Sequence, residues 1–282
     1  MCTELLPAIR KRNGTAFALL EIPEVLHSDM KVGDHGTIYF RDYRGEKYDH
    51  GWNEGNGGAG LGTELSSEMV QLLEDLGQID VDWLLSRAVG KGMTLPAFDF
   101  QDWLLSFQKR KSPALGLGIS DNEFKQAEEF IKGGFQLRRR IFSNGDFYPR
   151  NLIKFPDTVV VVDWEYWPGY RACLVDYLVN VAAFAFIHMW GNSLWREEFV
   201  RHLKKTFEIK SDDLRNAVLI KSFEQAIFFQ AAGAVPQAQA QAGLLKMALK
   251  NETFTRLSLY ERELREPAYE VPCGSSHNES AS

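Results

Sequence analysis

The segment 143–163 constrains the fold of this 282-residue chain more than any other part of its sequence. It places Asp146 and Asn151 in a polar loop and then continues as two short, apolar runs on either side of a proline–aspartate pair. Such runs around a turn predict a β-hairpin, and this one ends at Asp163. Because a hairpin returns the chain to its starting point, we expect Asn151 and Asp163 to lie close together.

The side chains of this segment have the chemistry of a phosphoryl-transfer site. Asp146, Asn151 and Asp163 all carry oxygen atoms and follow one another at spacings of five and twelve residues. In such a site one carboxylate accepts the proton of an attacking hydroxyl, while an amide oxygen and a second carboxylate hold the Mg²⁺ that neutralises a triphosphate. An Asn-Gly-Asp triplet alone is typical of a tight turn, but the joint spacing of the three side chains favours a site.

At these residues the chain resembles the aminoglycoside phosphotransferase and choline kinase-like family of the protein-kinase-like fold. The catalytic loop of that family reads H-G-D-x-x-x-x-N and is followed by D-W-E or a similar triplet. The matching stretches here are residues 144–151 and 163–165, and the resemblance covers roughly residues 20–190.

The resemblance implies a role for each side chain of the segment. Asp146 is the expected catalytic base, and Asn151 and Asp163 are the expected Mg²⁺ ligands. Asp176 matches a later aspartate that braces the catalytic loop. The implied reaction is transfer of the γ-phosphoryl group of ATP to a hydroxyl of a small molecule. Aminoglycosides, choline-like alcohols, amino-acid hydroxyls and sugars are all open as acceptors.

Two segments upstream resemble the strands and hinge that run between the lobes of this fold. Residues 22–26 are typical of a loop that enters a short strand, and residues 36–40 are β-branched and aromatic. The resemblance implies that backbone groups of Arg41, Asp42 and Tyr43 bind the adenine of ATP.

The implied fold class is α+β: a protein-kinase-like bilobal fold with a reduced N-terminal β lobe and a large, mainly helical C-terminal lobe. We expect a partial N-terminal lobe and hinge at 1–46, and the helical lobe with the catalytic loop and metal hairpin at 47–265. Residues 266–282 are rich in Pro, Ser and Gly and are expected to form a disordered tail.

The chain departs from the family pattern in two places. Asn144 stands where the family has histidine, and an amide can supply part of the hydrogen bonding of that histidine. Only about 40 residues precede the hinge, where this fold normally has a nucleotide loop, a strand with a phosphate-binding lysine and a helix with its partner glutamate. Lys11, Lys31 and Glu4 are not in a recognisable context for these roles.

These departures leave two hypotheses for the nucleotide end. The chain is either truncated at its N-terminus or degenerate there, and the alternative function is that of a pseudokinase-like protein that binds a ligand without turnover. A protein kinase is a weaker alternative, because residues 163–176 leave little room for an activation loop and a peptide platform.

Helical patterns account for most of the remaining sequence. We expect a helix from about residue 64, capped by Thr63 or Ser66, and a second over 121–140 that is weakened at its two glycines. Residues 178–190 predict a buried helix, because the run is shorter than the roughly 20 residues of a membrane span. Helical sequence then continues almost to residue 266.

Charge and cysteine content exclude several classes of partner. The 38 acidic and 32 basic residues give a net charge of −6, which repels nucleic acid and anionic membranes. Three scattered cysteines form neither a disulfide framework nor a zinc pattern. With no secretory signal at its start, the chain is expected to be a folded cytoplasmic protein.

Two further features have competing interpretations. Residues 55–62 contain G-x-G-x-x-G, but no strand precedes it, so a linker between the lobes is favoured over a phosphate loop. His188 is expected to be a satisfied core histidine. A set of aromatic residues either packs in the core, which we favour, or forms a cage for a cationic acceptor: Tyr166, Trp167, Tyr170, Trp190 and Trp195.

Overall fold

The computed structural model describes residues 2–28, 38–43, 46–47, 59–134, 139–164, 173–189 and 193–250. Its helices are α1 (Cys2–Asn13), α2 (Ala59–Leu76), α3 (Val81–Gly90), α4 (Phe100–Lys109), α5 (Lys111–Gly116), α6 (Asp121–Gly134), α7 (Leu178–His188), α8 (Ser193–Phe207), α9 (Ser211–Ala231) and α10 (Val235–Lys250). Its strands are β1 (Leu20–Glu21), β2 (Val25–Ser28), β3 (Ile38–Phe40), β4 (Glu46–Lys47), β5 (Arg140–Phe142), β6 (Leu152–Lys154), β7 (Val159–Val161) and β8 (Val175–Tyr177).

The predicted hairpin is confirmed as β6 and β7. The two strands are antiparallel, with Leu152 opposite Val161 and Lys154 opposite Val159. The hairpin lies at the centre of a four-stranded sheet in the order β1-β7-β6-β4. Two smaller antiparallel pairs, β2 with β3 and β5 with β8, complete the strands of the described ranges.

A buried carboxylate at the end of α2 holds β1 in place. The Asp75 oxygens accept the backbone N–H groups of Ala18 at 3.1 Å, Leu19 at 2.7 Å and Leu20 at 2.8 Å. Leu20 in turn pairs in parallel with Val159 of β7. A fully buried charge needs several hydrogen bonds to offset its lost hydration, and these three donors supply them.

The large helical part of the chain surrounds α7, as the apolar run at 178–190 predicts. Residues 178–187 are all buried, and α7 packs on α9, which also contacts α6 and α10, while α2 packs on α8. A helix that is apolar on every side is stable only inside a protein or a membrane. Within the described ranges, however, no helix combines the length and apolarity that a membrane crossing requires.

Two predicted helix boundaries are wrong. The helix expected from residue 64 begins at Ala59, so Thr63 and Ser66 lie inside it and do not cap it. The helix expected over 121–140 ends at Gly134, and Arg140 begins β5. Tertiary packing of α2 on α8 overrides local cap signals in the first case. In the second, pairing of β5 with β8 determines the conformation.

Several predictions concern residues that the structure does not describe. The remainder of the helical stretch beyond Lys250 and the tail at 266–282 lie outside the described residues. Residues 55–58 of the glycine-rich segment also lie outside the described residues. Residues 59–62 belong to the first turn of α2, so the prediction of a linker is wrong for this half of the segment. The predicted division into an N-terminal lobe and hinge at 1–46 and a helical lobe at 47–265 stays a prediction.

Asp176 does not brace the catalytic loop as the resemblance implied. One of its oxygens accepts from the Tyr177 N–H at 2.7 Å and from the Asn180 amide at 2.7 Å. The other accepts from Lys221 Nζ of α9 at 2.9 Å. Nor does it cap α7, since Tyr177 occupies the N-cap position. Asp176 therefore ties β8 to the helical core.

Lys221 lies between two carboxylates in this core. Its Nζ is 2.9 Å from Asp176 and 3.2 Å from Glu224, and its side chain is 7% exposed. Burial alone would lower the pKa of Lys221, but the charges of Asp176 and Glu224 raise it above its usual value. Burial also raises the pKa of Glu224, against the effect of Lys221. The three groups therefore depend on one another for compensation.

Replacing Lys221→Met tests this dependence. The variant leaves buried carboxylates without their cation, and we expect the free energy of unfolding to fall by about 3–5 kcal/mol, measured by urea denaturation. The control is Lys125→Met, since the exposed Lys125–Asp121 pair is worth no more than about 0.5 kcal/mol. Equal effects of the two variants would contradict a structural role for Lys221.

Candidate active site

The loop that holds Asp146 follows directly from β5. The Ser143 N–H donates to the Leu174 carbonyl at 2.8 Å, which extends the pairing of β5 with β8 by one bond. Gly145 then has φ 79°, a conformation that glycine adopts without the steric cost of a Cβ atom. The chain turns there, and Asp146 follows at the start of the loop.

Asn144 connects this loop to the strand that ends at Asp163. Its side chain is fully buried, and its Nδ2 donates to the Val162 carbonyl at 2.9 Å and to the Asp146 carbonyl at 3.2 Å. Its Oδ1 accepts the Asp146 N–H at 3.3 Å. The amide at the position of the family histidine therefore links the loop to the backbone just before Asp163.

Asn151 brings the two aspartates together. Its Nδ2 lies 2.9 Å from the Asp146 carbonyl, 3.1 Å from Asp146 Oδ2 and 3.4 Å from Asp163 Oδ2. Its own carbonyl accepts the Val162 N–H at 2.9 Å, at the open end of the hairpin. The structure thus brings together all three side chains that the sequence placed at the site.

Asp163 has a backbone conformation unusual for its residue type. Its φ is 61°, in the left-handed region, which costs a non-glycine residue of the order of 1 kcal/mol. The next side chain holds the backbone there: Trp164 is buried, donates from Nε1 to the Val161 carbonyl at 2.6 Å and stacks on Phe142 with ring centroids 5.3 Å apart. Asp163 itself is exposed beside Asn151.

The surroundings of Asp146 change its proton affinity. Burial is the main cause that raises the pKa of the Asp146 carboxyl to about 6; the negative charge of Asp163 acts in the same direction, and the hydrogen bond from Asn151 in the opposite one. A carboxylate with a pKa near 6 is still mostly ionised at pH 7, and it is a stronger base than an exposed aspartate.

The donor set fits a hard divalent cation. The Asp163 carboxylate and the Asn151 Oδ1 are oxygen ligands, and no described residue donates a hydrogen bond to that Oδ1. No described group of three or more His, Cys, Asp or Glu residues lies close enough together to hold a metal. Mg²⁺ is usually held by one or two protein ligands together with water and substrate phosphates, so a pair of oxygen-bearing side chains is compatible with it.

Lys154 fixes the hairpin to α2, a contact that the sequence does not indicate. Its Nζ forms an ion pair with Glu64 and lies 2.8 Å from Glu68. Burial opposes a charged Lys154, but the two carboxylates raise its pKa above the usual value. The only local signal is a lysine at the end of an otherwise apolar strand.

The predicted hinge residues lie beside the hairpin. The Arg41 N–H donates to the Glu24 carbonyl at 2.9 Å, and the Tyr43 hydroxyl accepts the Glu24 N–H at 2.8 Å. The Tyr43 ring contacts Phe155, next after β6, with centroids 6.1 Å apart. Asp42 is exposed. The backbone N–H of Arg41 is therefore already in use, while the segment 41–43 adjoins the strand that begins after Asn151.

His188 packs against the catalytic loop. Its ring lies 5.0 Å from Tyr148, two residues after Asp146, and 4.4 Å from Phe184. Its Nε2 is buried with no hydrogen-bond partner in the described structure, so the expectation of a satisfied core histidine is only half right. Burial, and then the charge of Arg150, lower the pKa of His188 to about 4.

Of the aromatic set, only Trp195 is described. It is fully buried and stacks on Phe199 with centroids 4.4 Å apart, which is core packing. Tyr166, Trp167, Tyr170 and Trp190 lie outside the described residues, and the cage stays a hypothesis for them.

Solved structures share this fold. A thermostable mutant of aminoglycoside phosphotransferase APH(4)-Ia in its apo form is 12% identical, with a TM-score of 0.61 over 89% of this chain and 84% of that one. The GDP and kanamycin complex of APH(2")-IIia is 11% identical, with a TM-score of 0.60 over 88% and 81%. A choline/ethanolamine kinase family protein from Mesorhizobium loti is 14% identical, with a TM-score of 0.54 over 93% and 83%.

These similarities confirm the resemblance at the level of fold. The chain has the α+β protein-kinase-like fold of these phosphotransferases, with its large helical lobe. APH(4)-Ia has also been solved with AMP-PNP and hygromycin B. No protein-family model matches the chain, and no curated protein matches it in sequence.

Replacing Asn144→Ala tests the link between the Asp146 loop and the backbone just before Asp163. The variant removes the buried amide and leaves the Val162 carbonyl without its donor, so we expect the free energy of unfolding to fall by about 1.5–3 kcal/mol in a urea titration. Asn122→Ala changes an exposed amide and should shift it by less than about 0.5 kcal/mol. A loss no larger than that of the control would show that Asn144 does not hold the loop.

Replacing His188→Phe tests the buried imidazole through pH. The pKa of His188 is about 4 in the folded chain and near its usual 6.5 in the unfolded chain, so the unfolded state binds more protons between these values. As the pH falls from 7 to 4, the parent should lose up to about 3 kcal/mol of stability relative to the variant. Asp146 titrates in both proteins, so its effect cancels. Parallel stability curves would mean that His188 is not buried as described.

Proposed function

We propose that this protein is a small-molecule kinase that transfers the γ-phosphoryl group of ATP, with Mg²⁺, to a hydroxyl group. The observation that carries the proposal is the position of Asn151, whose amide contacts both Asp146 and Asp163 within 3.4 Å. The fold shared with phosphotransferases supports the same reaction class.

Asp146 is the proposed catalytic base. It is half-buried, and Asn151 orients its carboxylate by a 3.1 Å hydrogen bond. In the transfer, the acceptor oxygen forms a bond to the γ-phosphorus, the bond from that phosphorus to the β,γ-bridging oxygen breaks, and ADP leaves. The hydroxyl proton passes to Asp146. Positioning and charge neutralisation supply most of the rate in such reactions.

Asn151 and Asp163 are the proposed metal ligands. When bound, Mg²⁺ would neutralise charge on the nucleotide phosphates and on the phosphoryl group in transfer. Asp163 is exposed, so an ion that arrives with a nucleotide could reach its carboxylate, and the side chain of Trp164 is fixed next to it by the bond to the Val161 carbonyl. Asn144 holds the two halves of the site together.

Arg41, Asp42 and Tyr43 are the proposed adenine-binding segment. Support comes from the contact of Tyr43 with Phe155, which places the segment along the hairpin that carries the metal ligands. The neighbours were solved with ADP, AMP-PNP or GDP, so ATP and GTP should be compared. Because the Arg41 N–H already donates to the Glu24 carbonyl, the adenine would bind to other backbone groups of the segment 41–43.

Calorimetric titration of the full chain with ATP and Mg²⁺ tests the metal site. We expect Mg²⁺-dependent binding that Asp163→Asn weakens by at least about tenfold, because a ligand charge is lost. Asp157→Asn removes an exposed carboxylate from the hairpin turn and should bind as the parent does. Absence of nucleotide binding by the parent would overturn the proposal.

Asp146→Asn tests the chemical step. We expect nucleotide affinity to stay within about threefold and phosphoryl transfer to fall by about 10²–10⁴. Transfer to water and to a panel of hydroxyl compounds, including hygromycin B, kanamycin and choline, is followed as ADP release. Binding without any transfer would favour the pseudokinase-like alternative. Full transfer activity in the variant would remove Asp146 from its role.

A further inference from the structure

A cavity of about 290 Å³ opens beside the first turn of α7, on the side of the helix remote from the catalytic loop. Its apolar wall consists of Leu178 and Val179 of α7 together with Phe207, the last residue of α8, and Ile209, which lies two residues beyond it. The volume lies at the low end of the range for ligand pockets. A ligand for this cavity must therefore be small.

Asp213 is a buried carboxylate that faces this cavity. It is the third residue of α9 and only 9% exposed. No described residue donates a hydrogen bond to its oxygens or forms an ion pair with it, and the N-cap of α9 makes no side-chain capping bond. A helix N-terminus favours a negative charge, and the Asp213 oxygens are not among the fully buried polar atoms that lack a hydrogen-bond partner. They therefore reach the open space of the cavity that Asp213 lines, and no described cation pairs with them.

Two cations line the same cavity. Arg139 lies just before β5, with its guanidinium 5.6 Å from the centroid of the Phe207 ring, and Lys205 lies near the end of α8. Neither is within 4.0 Å of a carboxylate in the described structure, although Asp213 and the exposed Glu208 border the same space. Positive and negative side chains thus line the same small cavity without forming an ion pair with one another in the described structure.

We propose that this cavity binds a small zwitterion. Its ammonium group would lie against Asp213, its anionic group against Arg139 and Lys205, and its hydrocarbon part on Leu178 and Phe207. A ligand with one charge would satisfy one side of the cavity and leave the other unpaired. A ligand with both charges can contact Asp213 at one end and Arg139 or Lys205 at the other.

The cavity is separate from the candidate active site. From Val179 to His188, α7 rises by about 13 Å, and its described ring contacts with Tyr148 of the Asp146 loop come from Phe184 and His188, in the second half of the helix. The cavity also adjoins Arg139, whose carbonyl accepts the Leu178 N–H at 2.8 Å. A ligand there would contact the start of both α7 and β5, and its binding does not depend on the proposed phosphoryl transfer.

Calorimetric titration of the full chain, without nucleotide, tests the site. The probes are glycine, L-serine, 4-aminobutanoate and 6-aminohexanoate, with butylamine and butanoate as single-charge controls. We expect at least one zwitterion to bind with Kd below about 10 mM, and both controls to bind at least about tenfold more weakly. If no zwitterion binds, or a control binds equally well, the proposal is wrong.

Substitutions locate the binding. Asp213→Asn should weaken the best probe by at least about tenfold, whereas Asp212→Asn, at the exposed neighbour, should not. Because Asp213 loses no described hydrogen bond or ion pair, and only its interaction with the N-terminus of α9, its variant should fold and unfold at a temperature close to that of the parent. Arg139→Gln and Lys205→Gln change exposed side chains and decide the question if Asp213→Asn does not fold. Undiminished binding in the folded variants would overturn the assignment.

Discussion

The hydrogen bonds of two amide side chains hold the catalytic loop against the strand that ends at Asp163, and the rest of the candidate site depends on them. Asn144 and Asn151 together contact the Asp146 carbonyl, and each also reaches the chain near Asp163. A hairpin brings its two ends to the distance between neighbouring strands, about 5 Å, but it does not orient the side chains at those ends. The amides supply that orientation, and they do so with groups that stay neutral.

The hairpin is held in turn by α2. Asp75 fixes β1, which pairs with β7, and Lys154 at the end of β6 binds Glu64 and Glu68. Both strands of the hairpin are thus tied to the same helix, and α2 is itself packed on α8. The helical lobe therefore determines where Asn151 and Asp163 lie through two polar contacts. The Asp75 carboxylate is fully buried, whereas the pairs of Lys154 with Glu64 and Glu68 are partly exposed.

Short-range features of this fold could be predicted and long-range ones could not. The hairpin and the convergence of Asp146, Asn151 and Asp163 follow from two apolar runs around a turn, and all of these residues lie within about twenty positions of one another along the chain. By contrast, Asp176 and Lys221 are 45 residues apart, and Lys154 and Glu64 are 90 apart. No local pattern encodes such pairs. Local pattern predicts a helix at Arg140, because the residue that pairs with it in the sheet, Tyr177, lies 37 positions later in the sequence.

The residue at position 144 has a consequence for the conditions in which the loop stays ordered. A histidine at this position would change its charge in the range where imidazoles titrate, and it would then exchange an acceptor for a donor. The Asn144 amide has no such transition, and its donor and acceptor pattern is the same in acid and in base. The hydrogen bonds by which Asn144 links Asp146 to Val162 therefore do not change as the pH falls. We expect any effect of acid on the Asp146 loop to come from its carboxylates or from His188 of α7.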